Sequence, residues 1–282
     1  MKKFESIGKP LKLSVVLVLA AVAAGCGGSS GSSSGAGTSA GSGAIGSGCS
    51  GTGCVNLATA GNYAILASTG VSSVPNSVVT GNVGLSPAAG SFLTGWSETA
   101  NAAPVTYSTS AQVTGKLYAA NYSGGSTAAD LTTAVADMGT AYTAAKGMAP
   151  AGGGLTTACP GVGILDSLTI TPGVYTCTNQ LSIGAGTNVT LNGAGVYVIR
   201  TTAGLTQAAG TQVLLTGGAV AQNVFWVFDQ TVTIGGTAGG TTKMAGVILA
   251  KTNIVVGTNA TVNGRLLAQT AVTLDRSTVT QP

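Results

Sequence analysis

The feature that most constrains this chain is a short phrase that keeps returning: aliphatic residues, a turn, a threonine, then another apolar run. Ile65-Leu66-Ala67-Ser68-Thr69-Gly70-Val71 comes back as Ile248-Leu249-Ala250-Lys251-Thr252-Asn253-Ile254 and as Leu266-Leu267-Ala268-Gln269-Thr270-Ala271-Val272. Val227-Phe228-Asp229-Gln230-Thr231-Val232 is one residue short, and Val198-Ile199-Arg200-Thr201-Thr202-Ala203-Gly204-Leu205 is one residue long. A second phrase interleaves with the first: Gly186-Thr187-Asn188-Val189-Thr190-Leu191-Asn192-Gly193, Gly210-Thr211-Gln212-Val213-Leu214-Leu215-Thr216-Gly217 and Gly257-Thr258-Asn259-Ala260-Thr261-Val262-Asn263-Gly264. Strands of about five residues with Gly and Asn at repeating corners cannot bury an apolar face singly, but stacked coils share one core. A mostly β fold is expected, a β-solenoid whose threonines fall in rows.

Composition narrows the chemistry. Only 6% of the 282 residues are charged, and there is no histidine. An imidazole base for a Ser or Cys nucleophile and a His metal ligand are therefore excluded. The net charge of +4 is concentrated at the start of the chain. Lys2, Lys3, Lys9 and Lys12 precede an apolar run at 13–24 that ends in Ala23-Ala24-Gly25-Cys26. A basic segment, a short apolar segment and a small-residue cleavage site make a secretory signal over residues 1–25. A Cys directly after Ala-Gly gives it the form of a bacterial lipoprotein signal with Cys26 as the lipidated residue; the alternative is ordinary cleavage and free secretion. The run is short of the ~20 residues that a membrane span needs. Cleavage would remove four of the 11 basic residues and one of the seven acids, Glu5, leaving seven against six. No basic patch remains for nucleic acid.

Residues 26–54 are nearly all Gly, Ser, Ala and Thr, a composition that cannot offset its own ordering entropy and reads as a tether. The folded domain is expected over residues 55–282. Export permits disulfides, and among the three connectivities open to the four later cysteines the two local bridges, Cys49 with Cys54 and Cys159 with Cys177, are expected.

Residues 56–86 read as one coil, and the pattern loosens over 86–126 as an insertion would. The period then changes: Leu131, Val135, Met138 and Tyr142 keep helical spacing. Ser126 or Thr127 stands at the start, Asp130 in the first turn, Lys146 and Gly147 at the end and Pro150 beyond. The spacing predicts one helix of four to five turns lying along the coils. From about 165 to 280 strands dominate.

Where the aliphatic residues of each post-corner strand face inward, their neighbours face out. The outward residues are Ala271 and Thr273, Asn253 and Val255, Gly70 and Ser72, and Thr231 and Thr233. Stacked, they make a flat face of small uncharged side chains with hydroxyls among methyls. Such a face lacks the concavity and titratable groups of an enzyme site and the Trp, Tyr or Arg anchors of a protein hot spot. It can order water, since methyls constrain the first hydration layer and regular hydroxyls bond it. Thr is also simply a good strand residue.

The segment Leu57-Ala58-Thr59-Ala60-Gly61-Asn62-Tyr63-Ala64-Ile65-Leu66-Ala67, continuing to Val79-Thr80-Gly81-Asn82-Val83-Gly84-Leu85-Ser86-Pro87, resembles the opening of the microbial ice-binding protein family. Asp137-Met138-Gly139-Thr140-Ala141-Tyr142, Leu168-Thr169-Ile170-Thr171-Pro172-Gly173-Val174-Tyr175, Asn223-Val224-Phe225-Trp226 and the run from Asn263 to Leu274 follow in the family's order. The resemblance covers residues 55–280. It implies a right-handed discontinuous β-solenoid of triangular section with one helix alongside and the first coil placed next to the last, which would bring Thr69 beside Thr252 and Thr270. It also implies adsorption to ice, with inhibition of ice growth and recrystallisation. The family's short Thr-Ala/Gly-X-Thr/Asn motif is matched by Thr59-Ala60-Gly61-Asn62, while Thr258-Asn259-Ala260-Thr261 departs from it at its second position.

The expected partner is the ice surface, with membrane reached only through the lipid anchor, and no cofactor, metal or catalytic group is expected. Two other readings compete: a surface adhesin or structural solenoid with another repetitive ligand, and a polysaccharide lyase or hydrolase. The last would need clustered acids or a Ca²⁺ site with a basic partner. Asp166, Asp229, Asp275, Arg200, Arg265 and Arg276 are its candidates, scattered singly among the repeats.

Overall fold

The computed structural model describes residue 49 and residues 53–150 and 157–282. The expected signal, Cys26 and most of the tether lie outside the described residues. The described part is mostly β with one α-helix, and its coils visit three columns of parallel strands in turn.

The first column runs through Thr157–Ala158, Gly173–Cys177, Tyr197–Thr201, Val224–Phe228, Lys243–Ala250, Thr261–Ala268, Tyr63–Ala67, Asn82–Leu85 and Val113–Ala119. The second is Leu181–Ile183, Leu205–Gln207, Val232–Ile234, Ile254–Val256, Ala271–Asp275, Gly70–Val74 and Leu93–Thr94. The third includes Asn188–Asn192, Gln212–Thr216, Thr278–Thr280 and Val78–Thr80. The order breaks sequence at one place. Ile65 pairs with Leu266, Gly70 with Ala271 and Val78 with Thr278, so the first coil lies on the last.

Burial explains the sequence of each column. In the second, inward aliphatics alternate with exposed or half-buried residues, as in Val232-Thr233-Ile234. The middle of the first is buried on both faces: every residue of Val224–Phe228 is buried, because the core lies on one side and the helix Thr127–Gly147 on the other. The sequence stripe on that helix is rotated in the structure. Leu131, Ala134, Met138, Ala141 and Ala145 are buried, while Val135 and Tyr142 are only half-buried. Alanines at this spacing let the helix approach the sheet closely, and an apolar-residue count overlooks them.

Charged side chains fasten the helix. Arg200 donates from Nη1 to the carbonyls of Ala145 and Met148, both at 2.9 Å, satisfying acceptors at the helix C-terminus. Lys146 pairs with Asp229 at 2.7 Å, and the Tyr142 hydroxyl donates to the same carboxylate at 2.5 Å. The stretch at 86–126 supplies the coil above the first one and a small antiparallel pairing, Thr99–Ala100 with Ser108–Ser110. Trp96 is buried there and donates from Nε1 to the Val71 carbonyl at 3.0 Å. Cys159 is joined to Cys177 and Cys49 to Cys54, with Cα–Cα separations of 4.7 and 5.9 Å.

Candidate functional site

The second column presents a row of one outward residue per strand. In register these are Ser182, Thr206, Thr233, Val255, Thr273, Ser72 and Thr94. At ~4.8 Å per strand the seven span roughly 29 Å. A neighbouring row carries Thr231, Asn253, Ala271 and Gly70, since the residues that follow them pair strand to strand. Gly204 precedes Thr231 in this row, and a Cβ there would stand 2.0 Å from the Thr231 carbonyl oxygen. The glycine is therefore set by the close approach of two coils.

Neither row contains a charged side chain. The seam between the terminal coils is hydrogen-bonded: Ser72 Oγ donates to Thr273 Oγ1 at 3.2 Å, and the amides of Ser68 and Thr69 both donate to the Thr270 carbonyl at 2.9 Å. The Thr270 hydroxyl donates to the Asn253 carboxamide oxygen.

Sequence reasoning about the strands thus placed Gly70, Ser72, Thr231, Thr233, Asn253, Val255, Ala271 and Thr273 on positions that the structure brings together. The corner residues behave differently. Thr69 is exposed, and Thr270 is half-buried and bonded to Asn253. Thr252 departs from the expectation: its Oγ1 is buried with no hydrogen-bond partner, so its hydroxyl is withdrawn from the surface. Thr59, in the matched short motif, is tied by its amide and hydroxyl to Asp137 of the helix at 3.0 and 2.5 Å. That motif therefore docks the helix.

Three members of the row escaped the sequence reading. Leu205-Thr206-Gln207 alternates like its neighbours, but an inward Gln breaks the aliphatic signature. Thr94 lies in the loosened stretch at 86–126. Ser182 sits in the three-residue strand Leu181-Ser182-Ile183, which precedes the clear copies of the phrase.

The candidate acids and bases do not converge on a common site. Asp166 accepts from the Gly184 amide at 2.5 Å and Arg265 Nε donates to the Gly61 carbonyl at 3.1 Å. Arg276 lies 3.4 Å from its neighbour Asp275, which also accepts from Thr258. Burial lowers the Arg200 and Arg265 pKa values. For Asp229, burial pushes upward, but bonds from Lys146 and Tyr142 and the nearby Lys146 and Lys251 charges bring it below the ordinary carboxylate value. These groups serve turns and helix docking. Among the described residues no group of His, Cys, Asp or Glu is placed to hold a metal.

The face is thus a regular, uncharged grid of hydroxyls and methyls on a hydrogen-bonded sheet, suited to a repetitive ligand that is met across many weak contacts. The chain is 42% identical over 229 residues to an ice-binding protein of Flammulina populicola, covering 81% of this chain and 88% of that one. It is 47% identical over 207 residues to ice-binding protein K1-A of Typhula ishikariensis, covering 70% and 77%. Its structure matches that of an ice-binding protein (LeIBP) from an Arctic yeast with a TM-score of 0.74 at 39% identity, covering 81% and 94%. A Shewanella frigidimarina ice-binding protein domain matches with a TM-score of 0.72 at 28% identity, covering 81% and 97%. The model of the ice-binding-like family matches residues 65–280, and the chain belongs to that family.

Proposed function

We propose that the protein binds ice, through the flat face built on Ser182, Thr206, Thr233, Val255, Thr273, Ser72 and Thr94, flanked by Thr231, Asn253, Ala271 and Gly70. The observation that carries this reading is the unbroken register of seven uncharged outward positions. Methyl groups on a rigid sheet hold water in place without bonding it, and hydroxyls at strand spacing bond it at regular intervals. Many weak contacts sum only if the spacing persists, which a parallel stack ensures. Adsorption would stop growth at the occupied patches of the crystal and oppose recrystallisation. The action is physical adsorption, with no bond made or broken. The test is ice-affinity partitioning and recrystallisation inhibition by residues 55–282. Exclusion of the folded domain from ice would overturn the reading.

The stack is proposed to be a right-handed, triangular, discontinuous solenoid. Three strand columns and the placement of the first coil on the last support this. Residues 1–25 are proposed as an export signal, Cys26 as a lipidated residue and 26–54 as a tether that holds the domain outside the cell envelope. The basic start, the Ala-Gly-Cys junction and the paired cysteines support it. Cys26→Ser should shift the protein from the membrane fraction to the medium while leaving the ice activity of the domain unchanged. A wild-type mature N-terminus without lipid would replace anchoring by simple secretion.

A further inference from the structure

A groove of about 590 Å³ opens between the first turns of the helix and the start of the first coil, away from the flat rows. Tyr63 and Tyr118 line it, together with Asn62, Asp130, Thr133 and Gln281. The two rings meet edge-on with centroids 6.2 Å apart. Tyr63 is only 8% exposed and is packed beneath the helix. Its ring has room because residue 84 is glycine; a Cβ there would come within 2.8 Å of the ring carbons.

Several polar groups around this groove make no hydrogen bond to the protein and face solvent. The Tyr63 hydroxyl is open to the groove, and no group among the described residues bonds it. The same holds for the Tyr118 hydroxyl and the Asn62 carboxamide. Asp130 accepts from Ser126 Oγ through one carboxylate oxygen at 2.6 Å and leaves the other available. Gln281 donates to the Gly61 carbonyl at 2.9 Å and keeps its own carbonyl free. Burial raises the Tyr63 pKa to about 12, which keeps its hydroxyl a donor across the physiological range.

This set of groups selects a ligand class. The lining has one carboxylate, Asp130, and no basic side chain, so it disfavours anions. A purely apolar ligand would leave the hydroxyls, carboxamide and carboxylate oxygen without partners, at a cost for each. One carboxylate with two phenols is a poor oxygen cage for a divalent cation. Aromatic surface beside mixed donors and acceptors suits a molecule with C–H faces and hydroxyl edges. We propose that this groove binds a neutral polyhydroxylated ligand, a sugar unit or polyol, with the half-buried Tyr118 ring against its C–H surface and the Tyr63 hydroxyl, Asn62, Asp130 and Gln281 on its hydroxyls. The ligand could come free in solution or as a unit of a surface polysaccharide. The groove lies off the flat rows, so this binding is independent of the ice reading.

The test is titration of the intact exported chain with trehalose and, separately, with a soluble glucan, followed by calorimetry and by NMR shifts of residues 62, 63, 118 and 130. Saturable binding with shifts confined to these residues is expected. Trehalose alone would identify a free solute as the source, and glucan binding would identify a polymer. Tyr63→Phe keeps the ring and should weaken binding about three- to tenfold, the effect of one lost hydrogen bond. Asn62→Ala should weaken it similarly. Recrystallisation inhibition should be unchanged in both, which also shows that the variants are folded. Absence of saturable binding to either probe would overturn the proposal, as would binding that both variants leave unaltered.

Discussion

Ser72 Oγ donates to Thr273 Oγ1 at 3.2 Å, although 201 residues separate them in the chain. The bond crosses the seam between first and last coils, towards one end of the flat row. Thr273 is exposed, so a large side chain there would stand above the surface without entering the core. Thr273→Tyr is expected to remove most of the thermal hysteresis and the faceting of ice crystals. Its thermal stability should stay within about 0.5 kcal/mol of wild type, as for other surface substitutions. Full ice activity in this variant and in Ala271→Tyr would assign adsorption to another surface.

Gln207 occupies an inward position where the paired residues are Ile183 and Ile234. Its Nε2 donates to the carbonyls of Thr211 and Lys243 at 3.1 and 3.0 Å, beside the loop that leads to Lys243. Gln207→Leu would fill the space but strand the Lys243 carbonyl, while the Thr211 carbonyl keeps the Lys243 amide at 3.0 Å; the expected loss is about 1–3 kcal/mol. Denaturant unfolding followed by circular dichroism checks the value. A more stable variant would mean that removing the buried, unbonded Gln207 Oε1 outweighs the lost bond to the Lys243 carbonyl.

Asp229 links the helix to the first column through Lys146 and Tyr142. Its folded pKa lies below the ordinary value of 3.8. A depressed carboxylate pKa contributes stability that is fully present above the unfolded value and is lost as pH falls through the folded one. Wild type should therefore lose stability as pH drops from about 4 downward, and Asp229→Asn should lose less over the same window. Parallel acid titrations of melting temperature test this. Equal slopes for the two proteins would remove Asp229 from the acid response.

Cys159 and Cys177 are 18 residues apart, and their bridge lies at the start of the C-terminal coils. Closing a loop of this length stabilises by roughly 3 kcal/mol in the chain-entropy model. Replacing both residues by Ser should cost about that much, read as a lower denaturation midpoint. A shift below about 0.5 kcal/mol would mean that the loop is already held by its neighbours.

What could be read from the sequence was set by period. The repeated phrase located Ile65, Ile248 and Leu266 at equivalent places, and pairing puts all three in one column. The outward alternation around Thr233 and Thr273 was legible for the same reason. Features that depend on distant packing were hidden. Alanines at 134, 141 and 145 form the helix seam, but a small residue carries little apolar signal until a sheet is placed against it. The withdrawn hydroxyl of Thr252 belongs to a corner, where one rotation decides exposure and spacing gives no information. Gln207 obscured its coil because its amide serves the backbone of a loop that no local pattern announces.

The first coil rests on the last, and this has a consequence for synthesis. The strand Gly70–Val74 is made early, and Ser72 precedes its partner Thr273 in the neighbouring strand by 201 residues. A ribosome or export channel therefore delivers one edge of the seam long before the other, and the early coil must wait with its pairing groups unmet. No product stalled before Ala271 can carry the full grid, because its span is completed only when both the first and the last coil are present. Possession of the whole surface is thus a built-in check that the last coil was made and docked.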